Sequence, residues 1–138
     1  MMETLSFIVI DDSELDCFIT RKFIEHTKKG VQVTSYLNGK LVIEQILKDA
    51  DNRNMPLTII LLDLRMPVMN GFQFVSEFEK LPIDIKKKYR IYILSSTRNI
   101  SDIQRILSYA TVQSMIEKPL TREKIIKLFD DIKTIAIE

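Results

Sequence analysis

The sequence predicts an α/β protein: a doubly wound parallel sheet of five strands, with five helices on its two faces. Two observations carry this expectation. Short apolar runs suited to buried strands alternate with segments whose apolar residues recur at the helical period. Four of the five runs then stop at polar or charged groups: Asp11-Asp12, Asp63, Ser95 and Glu117-Lys118. The 138 residues suit one domain, spanning 1–138, large enough for its own core, and no repeat, linker or low-complexity tract divides it.

Thr58-Ile59-Ile60-Leu61-Leu62 is the centre of the prediction. A continuous aliphatic run, rather than an alternating one, marks a strand buried on both faces, as in the middle of a parallel sheet. It delivers Asp63 to its C-terminal end. Pro67, which lacks an N–H, and Asn70-Gly71, a turn pair tolerant of positive φ, end the ladder soon after.

In chain order, Leu5 to Ile10 reads as the first strand. Ser13 caps the next helix, with Asp16 as a capping-box partner. That helix runs to about Lys28, and Leu15, Phe18, Ile19 and Phe23 form its expected inner face. Gly30 closes it. Val31 to Tyr36 alternates as a strand, and Asn38-Gly39 turns into a helix from Lys40 to about Asp49, followed by a polar loop to Pro56. After the central strand come a helix from Gly71 to Lys80, an interruption at Leu81-Pro82 and a short helical turn between Ile83 and Tyr89. Arg90 to Leu94 is the fourth strand. Ser101-Asp102-Ile103-Gln104 carries a capping-box signature for a helix through Tyr109, Val112 to Ile116 is the fifth strand, and Thr121 caps a last helix reaching about Ile135.

Composition excludes several function classes. Twenty Lys and Arg against 19 Asp and Glu leave a charge of +1, which gives no footprint for nucleic acid or anionic lipid. No apolar run approaches the ~20 residues that span a bilayer, and Met1-Met2-Glu3-Thr4 does not open a signal peptide. The single cysteine, Cys17, forms no internal disulfide and reads as packing, so a soluble, cytoplasmic protein is expected. His26, the one histidine, lies in the last turn of its helix and has no second histidine to share a metal with.

The strand ends carry the chemistry. In a parallel sheet they share one edge, which gathers Asp11, Asp12, Asp63, the Ser95 hydroxyl and the Lys118 ammonium at one crevice. Three carboxylates so close repel one another, and a hard divalent cation such as Mg²⁺ resolves the conflict. A carboxylate beside Mg²⁺ can act as a nucleophile toward phosphorus, with the metal and Lys118 neutralising the transferring group and Ser95 donating to one of its oxygens. Singly, each piece is ordinary: Asp-Asp before a helix is more often a cap, and Lys-Pro a turn. Their succession along one short chain is what carries the information.

Ile8-Val9-Ile10-Asp11-Asp12, Leu61 to Gly71 (Leu-Leu-Asp-Leu-Arg-Met-Pro-Val-Met-Asn-Gly), Ile93-Leu94-Ser95-Ser96 and Lys118-Pro119 resemble, in order and spacing, the motifs of the receiver domain of two-component response regulators. The resemblance covers essentially the whole chain. It implies a flavodoxin-like sheet of order 2-1-3-4-5 and phosphorylation of Asp63 by the phosphohistidine of a sensor histidine kinase. It further implies Mg²⁺ held by Asp11, Asp12, Asp63 and the Arg65 backbone carbonyl, phosphoryl contacts from Ser95 and Lys118, and a cis Lys118-Pro119 bond. Met115 stands where the family often has Tyr or Phe, and it is flexible enough to fill a gap in either state. Arg65 and Thr97, beside the acceptor, are expected to affect water access and the aspartyl-phosphate lifetime.

Other readings fit less well. A haloacid-dehalogenase-type phosphatase needs a second Asp two residues after its nucleophile, where this chain has Arg65, which cannot serve as a base. Three glycines supply neither dinucleotide-binding nor P-loop fingerprint. Because the chain ends at Glu138, just after the last helix, output is expected to pass through another protein. That protein is a downstream target, or a histidine phosphotransfer protein if the chain is a relay intermediate or phosphate sink. On the last helix Ile125, Leu128, Phe129, Ile132, Ile135 and Ala136 form an inner stripe, and Ile126 and Ile137 point away. Ile126, Met115 and Tyr109 are candidates for a surface that meets a partner, or a second copy in a homodimer, after phosphorylation.

Overall fold

Five strands and six helices alternate along the chain in a computed structural model that describes residues 5–137, with side chains through Lys133. They are β1 Leu5–Ile10, α1 Glu14–Thr27, β2 Gln32–Tyr36, α2 Gly39–Lys48, β3 Leu57–Leu62, α3 Gly71–Glu79, α4 Ile83–Lys86, β4 Tyr89–Ser95, α5 Ile100–Leu107, β5 Val112–Glu117 and α6 Arg122–Ile137. The sixth helix is α4, the short turn expected after Pro82. The expectations for Met1 to Thr4, and for the side chains of Ile135, Ala136 and Ile137, fall outside the described residues.

The strands form one parallel sheet of order β2-β1-β3-β4-β5. β3 lies at its centre and is buried at every position but the first, as its unbroken aliphatic run demands. The order reverses direction between β1 and β3, which opens a crevice at their C-terminal ends. Hydrogen bonds carry the ladder just past those ends. Asp11 N–H donates to Tyr36 O at 3.1 Å, Asp63 N–H to Ile10 O at 3.0 Å and Lys118 N–H to Ser95 O at 2.9 Å. Asp11, Asp63, Ser95 and Lys118 are thus held by the sheet.

Alternation along the strands divides the core in two. Ile10, Ile60, Leu62, Ile91 and Ile93 pack with Val42 and Ile46 of α2, Phe74, Val75 and Phe78 of α3, and Ile106 of α5. Phe7, Val9, Ile59, Leu61 and Tyr92 pack with Cys17 and Ile24 of α1 and with Ile125, Leu128, Phe129 and Ile132 of α6. The predicted inner stripe of the last helix is present at those four positions.

The predicted inner face of α1 is not. Leu15, Phe18 and Ile19 are exposed, Phe23 alone of the four packs partly against the core, and the buried residues are Cys17, Thr20 and Ile24. Apolar residues lie on both sides of this helix, so its period admits two stripes. The stripe of smaller groups faces the sheet, and Cys17 Sγ comes within 3.4 Å of the Asp11 carbonyl oxygen.

Caps differ from expectation at two helices. Ser13 Oγ accepts from Asp16 N–H at 3.1 Å, but the Asp16 side chain turns away from the cap. On α5 the cap is Asn99, accepting from Asp102 N–H at 2.9 Å; Ser101 lies inside the helix, because Asn99 can begin it two residues earlier. Asn70 and Gln73 form a reciprocal capping box on α3.

The positive φ expected near Asn70-Gly71 occurs instead at Val68, with φ 70°, where Met69 N–H donates to Pro67 O at 2.8 Å across a three-residue turn. Gly71 is needed for another reason: a Cβ there would stand 2.8 Å from both the Asp63 carbonyl oxygen and the Leu64 Cα. A β-branched residue in the left-handed region costs roughly 1–2 kcal/mol. Val68→Asn should therefore raise unfolding stability by about 1 kcal/mol in urea titration; an unchanged or lower midpoint contradicts strain at this turn. Gly71→Ala should lose about 1–3 kcal/mol in the same measurement, because both neighbours it meets are backbone or branch-point atoms that cannot yield cheaply.

Candidate functional site

β1 delivers Asp11 and Asp12 to the crevice, β3 delivers Asp63, β4 ends in Ser95 and β5 is followed by Lys118. One carboxylate oxygen from each of Asp11, Asp12 and Asp63 lies within 4.8 Å of the other two. Lys118 bridges two of these carboxylates: its Nζ is 2.7 Å from Asp11 Oδ2 and 3.3 Å from Asp63 Oδ2. The Lys118-Pro119 bond is cis.

Burial grades across the cluster. Asp11 is 3% exposed, whereas Asp12 is at the surface. Burial pushes the Asp11 carboxyl up from its ordinary range, against the Lys118 ammonium and the Ser13 N–H, which donates to its Oδ1 at 2.9 Å. For Lys118, burial pulls the ammonium down, but hydrogen bonds to Asp11 and Asp16 and the charge of Asp63 outweigh it, so the net direction is upward. Lys118 is therefore charged at any physiological pH.

The other predicted residues fall as follows. Ser95, 1% exposed, accepts from Thr97 N–H at 3.2 Å, which leaves its own O–H to donate. Thr97 is buried and its Oγ1 accepts from Asn99 N–H at 3.3 Å, so it shapes the loop after β4. Arg65 is exposed, and its N–H donates to Asp63 Oδ1 at 3.3 Å. Tyr109 and Met115 pack against the core on the α2–α3–α5 side, and Tyr109 Oη lies 3.3 Å from Ser76 Oγ. Ile126 is exposed on the opposite side, in a groove between α1 and α6 with Phe18, Ile19 and Phe23. The three do not make one surface. Residue 126 follows Ile125, which packs on the other core, and sequence pattern says nothing about which face of the sheet a helix covers.

Sequence reasoning missed Asp16. Its Oδ2 is 2.9 Å from Lys118 Nζ, so a fourth carboxylate joins the cluster from the first turn of α1. The available signal was spacing: Asp16 stands four residues, about one helical turn, beyond Asp12. Cys17 lies beneath, buried, with its thiol pushed up first by burial and then by the Asp11 charge, which suits packing and not reactivity.

All donors in the cluster are hard oxygens, and they outnumber the one ammonium. Such a set suits a small divalent cation, which needs oxygen ligands and tolerates several waters. Among the described residues no helix is long and apolar enough to cross a membrane.

Several known proteins are similar to this chain. A receiver protein from Dyadobacter fermentans superposes with a TM-score of 0.80 at 29% identity, over 93% of this chain and 97% of its own. A two-component response regulator from Cytophaga hutchinsonii gives 0.83 at 24% identity, over 96% and 99%, a likeness of fold. A protein-glutamate methylesterase/protein-glutamine glutaminase of Treponema denticola is 30% identical over 95 residues, 69% of this chain but only 23% of that relative, so the chain spans under a quarter of its length. Residues 7–130, from within β1 to within α6, match the model of the response regulator receiver domain. With that match and the sheet order already described, the chain belongs to the response regulator receiver domain family.

Proposed function

We propose that Asp63 accepts a phosphoryl group, with Mg²⁺ as cofactor, from a phosphohistidine on a sensor histidine kinase or histidine phosphotransfer protein. The phosphorylated domain then signals through protein–protein contact. The observation that carries this reading is the Asp63 carboxylate, fixed one residue past β3, within 4.8 Å of the Asp11 and Asp12 oxygens and 3.3 Å from the Lys118 ammonium.

An Asp63 oxygen attacks the phosphorus, a P–O bond forms and the donor's P–N bond breaks. Its electron pair leaves on the imidazole nitrogen, which takes a proton from solvent. Asp11, Asp12, Asp63 and the Arg65 backbone carbonyl are the groups that would hold Mg²⁺. Bound there, the ion supplies neutralising charge to the phosphoryl oxygens. Lys118 offers its ammonium to one such oxygen and Ser95 its O–H to another. Arg65, exposed beside the acceptor, and Thr97, packed under the loop, limit how water reaches the product. The domain promotes its own phosphorylation and dephosphorylation and turns over no external substrate.

Incubation with acetyl phosphate and Mg²⁺ tests the reading. The intact chain should gain one phosphoryl group, labile to hydroxylamine, and Asp63→Asn or chelation of the metal should abolish the gain in mass spectrometry. Label retained in Asp63→Asn would defeat the assignment. Arg65→Ala should hasten hydrolysis of the purified aspartyl-phosphate by about threefold, roughly 0.65 kcal/mol of barrier. An unchanged half-life removes Arg65 from the account.

A further inference from the structure

Lys118 grips a carboxylate that the proposed transfer does not use. Asp16 lies outside the Asp11, Asp12 and Asp63 set of converging oxygens, yet its bond to Lys118 at 2.9 Å is shorter than the 3.3 Å bond to the acceptor. An ammonium has three N–H donors, and those of Lys118 are met by Asp11, Asp16 and Asp63. A phosphoryl group on Asp63 brings new oxygens to the same ammonium, and one existing bond must give way.

The exposures decide which. The Asp11 side chain is 4% exposed and holds the shortest bond, 2.7 Å, so releasing it would strand a buried charge. Asp63 carries the phosphoryl group itself. The Asp16 side chain is 39% exposed, and water can replace the ammonium around it. Its charge also has the same sign as the incoming group, and Asp16 and Asp63 both contact one ammonium.

We infer that Asp16 is a positioning residue: it draws Lys118 toward α1 in the resting state and competes with the phosphoryl group for the ammonium, so its charge lowers the affinity of the site for that group. The inference rests on the receiver reading above. It needs no change of protonation, only a change of partner.

Beryllofluoride, a non-transferable phosphoryl mimic, tests this in the full chain at saturating Mg²⁺, with binding followed by NMR titration. Asp16→Asn should bind beryllofluoride about tenfold more tightly than the unaltered chain, the scale of a like-charge contact reduced by partial exposure. Asp16→Ser, which suits a first helical turn, should show the same gain, and Asp16→Glu should restore weaker binding. Glu14→Gln removes an exposed charge from the same turn without touching Lys118, and it should stay within about twofold of the unaltered chain. Equal affinity in Asp16→Asn and the unaltered chain, or an equal gain in Glu14→Gln, overturns the role of Asp16 and leaves the receiver reading standing. An unaltered chain that binds no beryllofluoride with Mg²⁺ overturns both.

Discussion

Like charges brought together must be compensated, and in this protein the ammonium of Lys118 does much of that work. It reaches Asp11 across 107 positions of sequence, Asp16 across 102 and Asp63 across 55. One side chain therefore ties the segment after β5 to those after β1 and β3 and to the first turn of α1. A charge-assisted hydrogen bond contributes roughly 1.5–3 kcal/mol, but the larger matter is what its loss would leave. Asp11, nearly sealed from solvent, would keep a charge with too few partners, a situation that costs about 3–5 kcal/mol. The cluster can be this acidic because the ladder bond from Lys118 N–H to Ser95 O holds the lysine in register beside it.

That dependence explains why the rigid and the adaptable parts are distributed as they are. Asp11, Asp63, Ser95 and Lys118 sit where backbone hydrogen bonds of the sheet still operate. The strain is next door, in the turn at Val68, and the tightest approach is at Gly71, whose N–H donates to Leu64 O at 2.9 Å. The chain after β3 is folded back sharply so that α3 can begin directly above the backbone of Asp63. A larger residue at 71 would push on Asp63 through its carbonyl, so the helix start and Asp63 are mechanically one unit.

The sheet was legible in the sequence because strand burial writes itself in composition: the aliphatic run before Asp63 permits little but a central strand, and polar residues at the ends of the apolar runs mark one edge. Tertiary choices between equivalent local options were not legible. The first helix offers Leu15, Phe18 and Ile19 on one side and Cys17, Thr20 and Ile24 on the other, and the second set is the one buried against the sheet. Asn99 and Ser101 are both good caps, and only the geometry of the loop after β4 selects the first. Val68 gives no local sign of positive φ, since the residue type argues against it. Cap chemistry is local and points to Asp16 as a cap partner, whereas its actual partner, Lys118, is far along the chain.

The distances around Lys118 also bear on which carboxylate is free to react. Asp11 is held by the shortest ammonium bond, 2.7 Å, and by the Ser13 N–H at 2.9 Å, so both of its oxygens are engaged at good length. Both contacts to Asp63, from Lys118 and from the Arg65 N–H, are 3.3 Å, beyond the usual 2.7–3.2 Å range for N–H···O bonds. Asp12 is at the surface, where water competes for it. Asp63 is thus half-sheltered and loosely held, with lone pairs less committed than those of Asp11 and less hydrated than those of Asp12. A nucleophile needs that combination: enough burial to be stripped of water, and bonds weak enough to be exchanged for one to phosphorus.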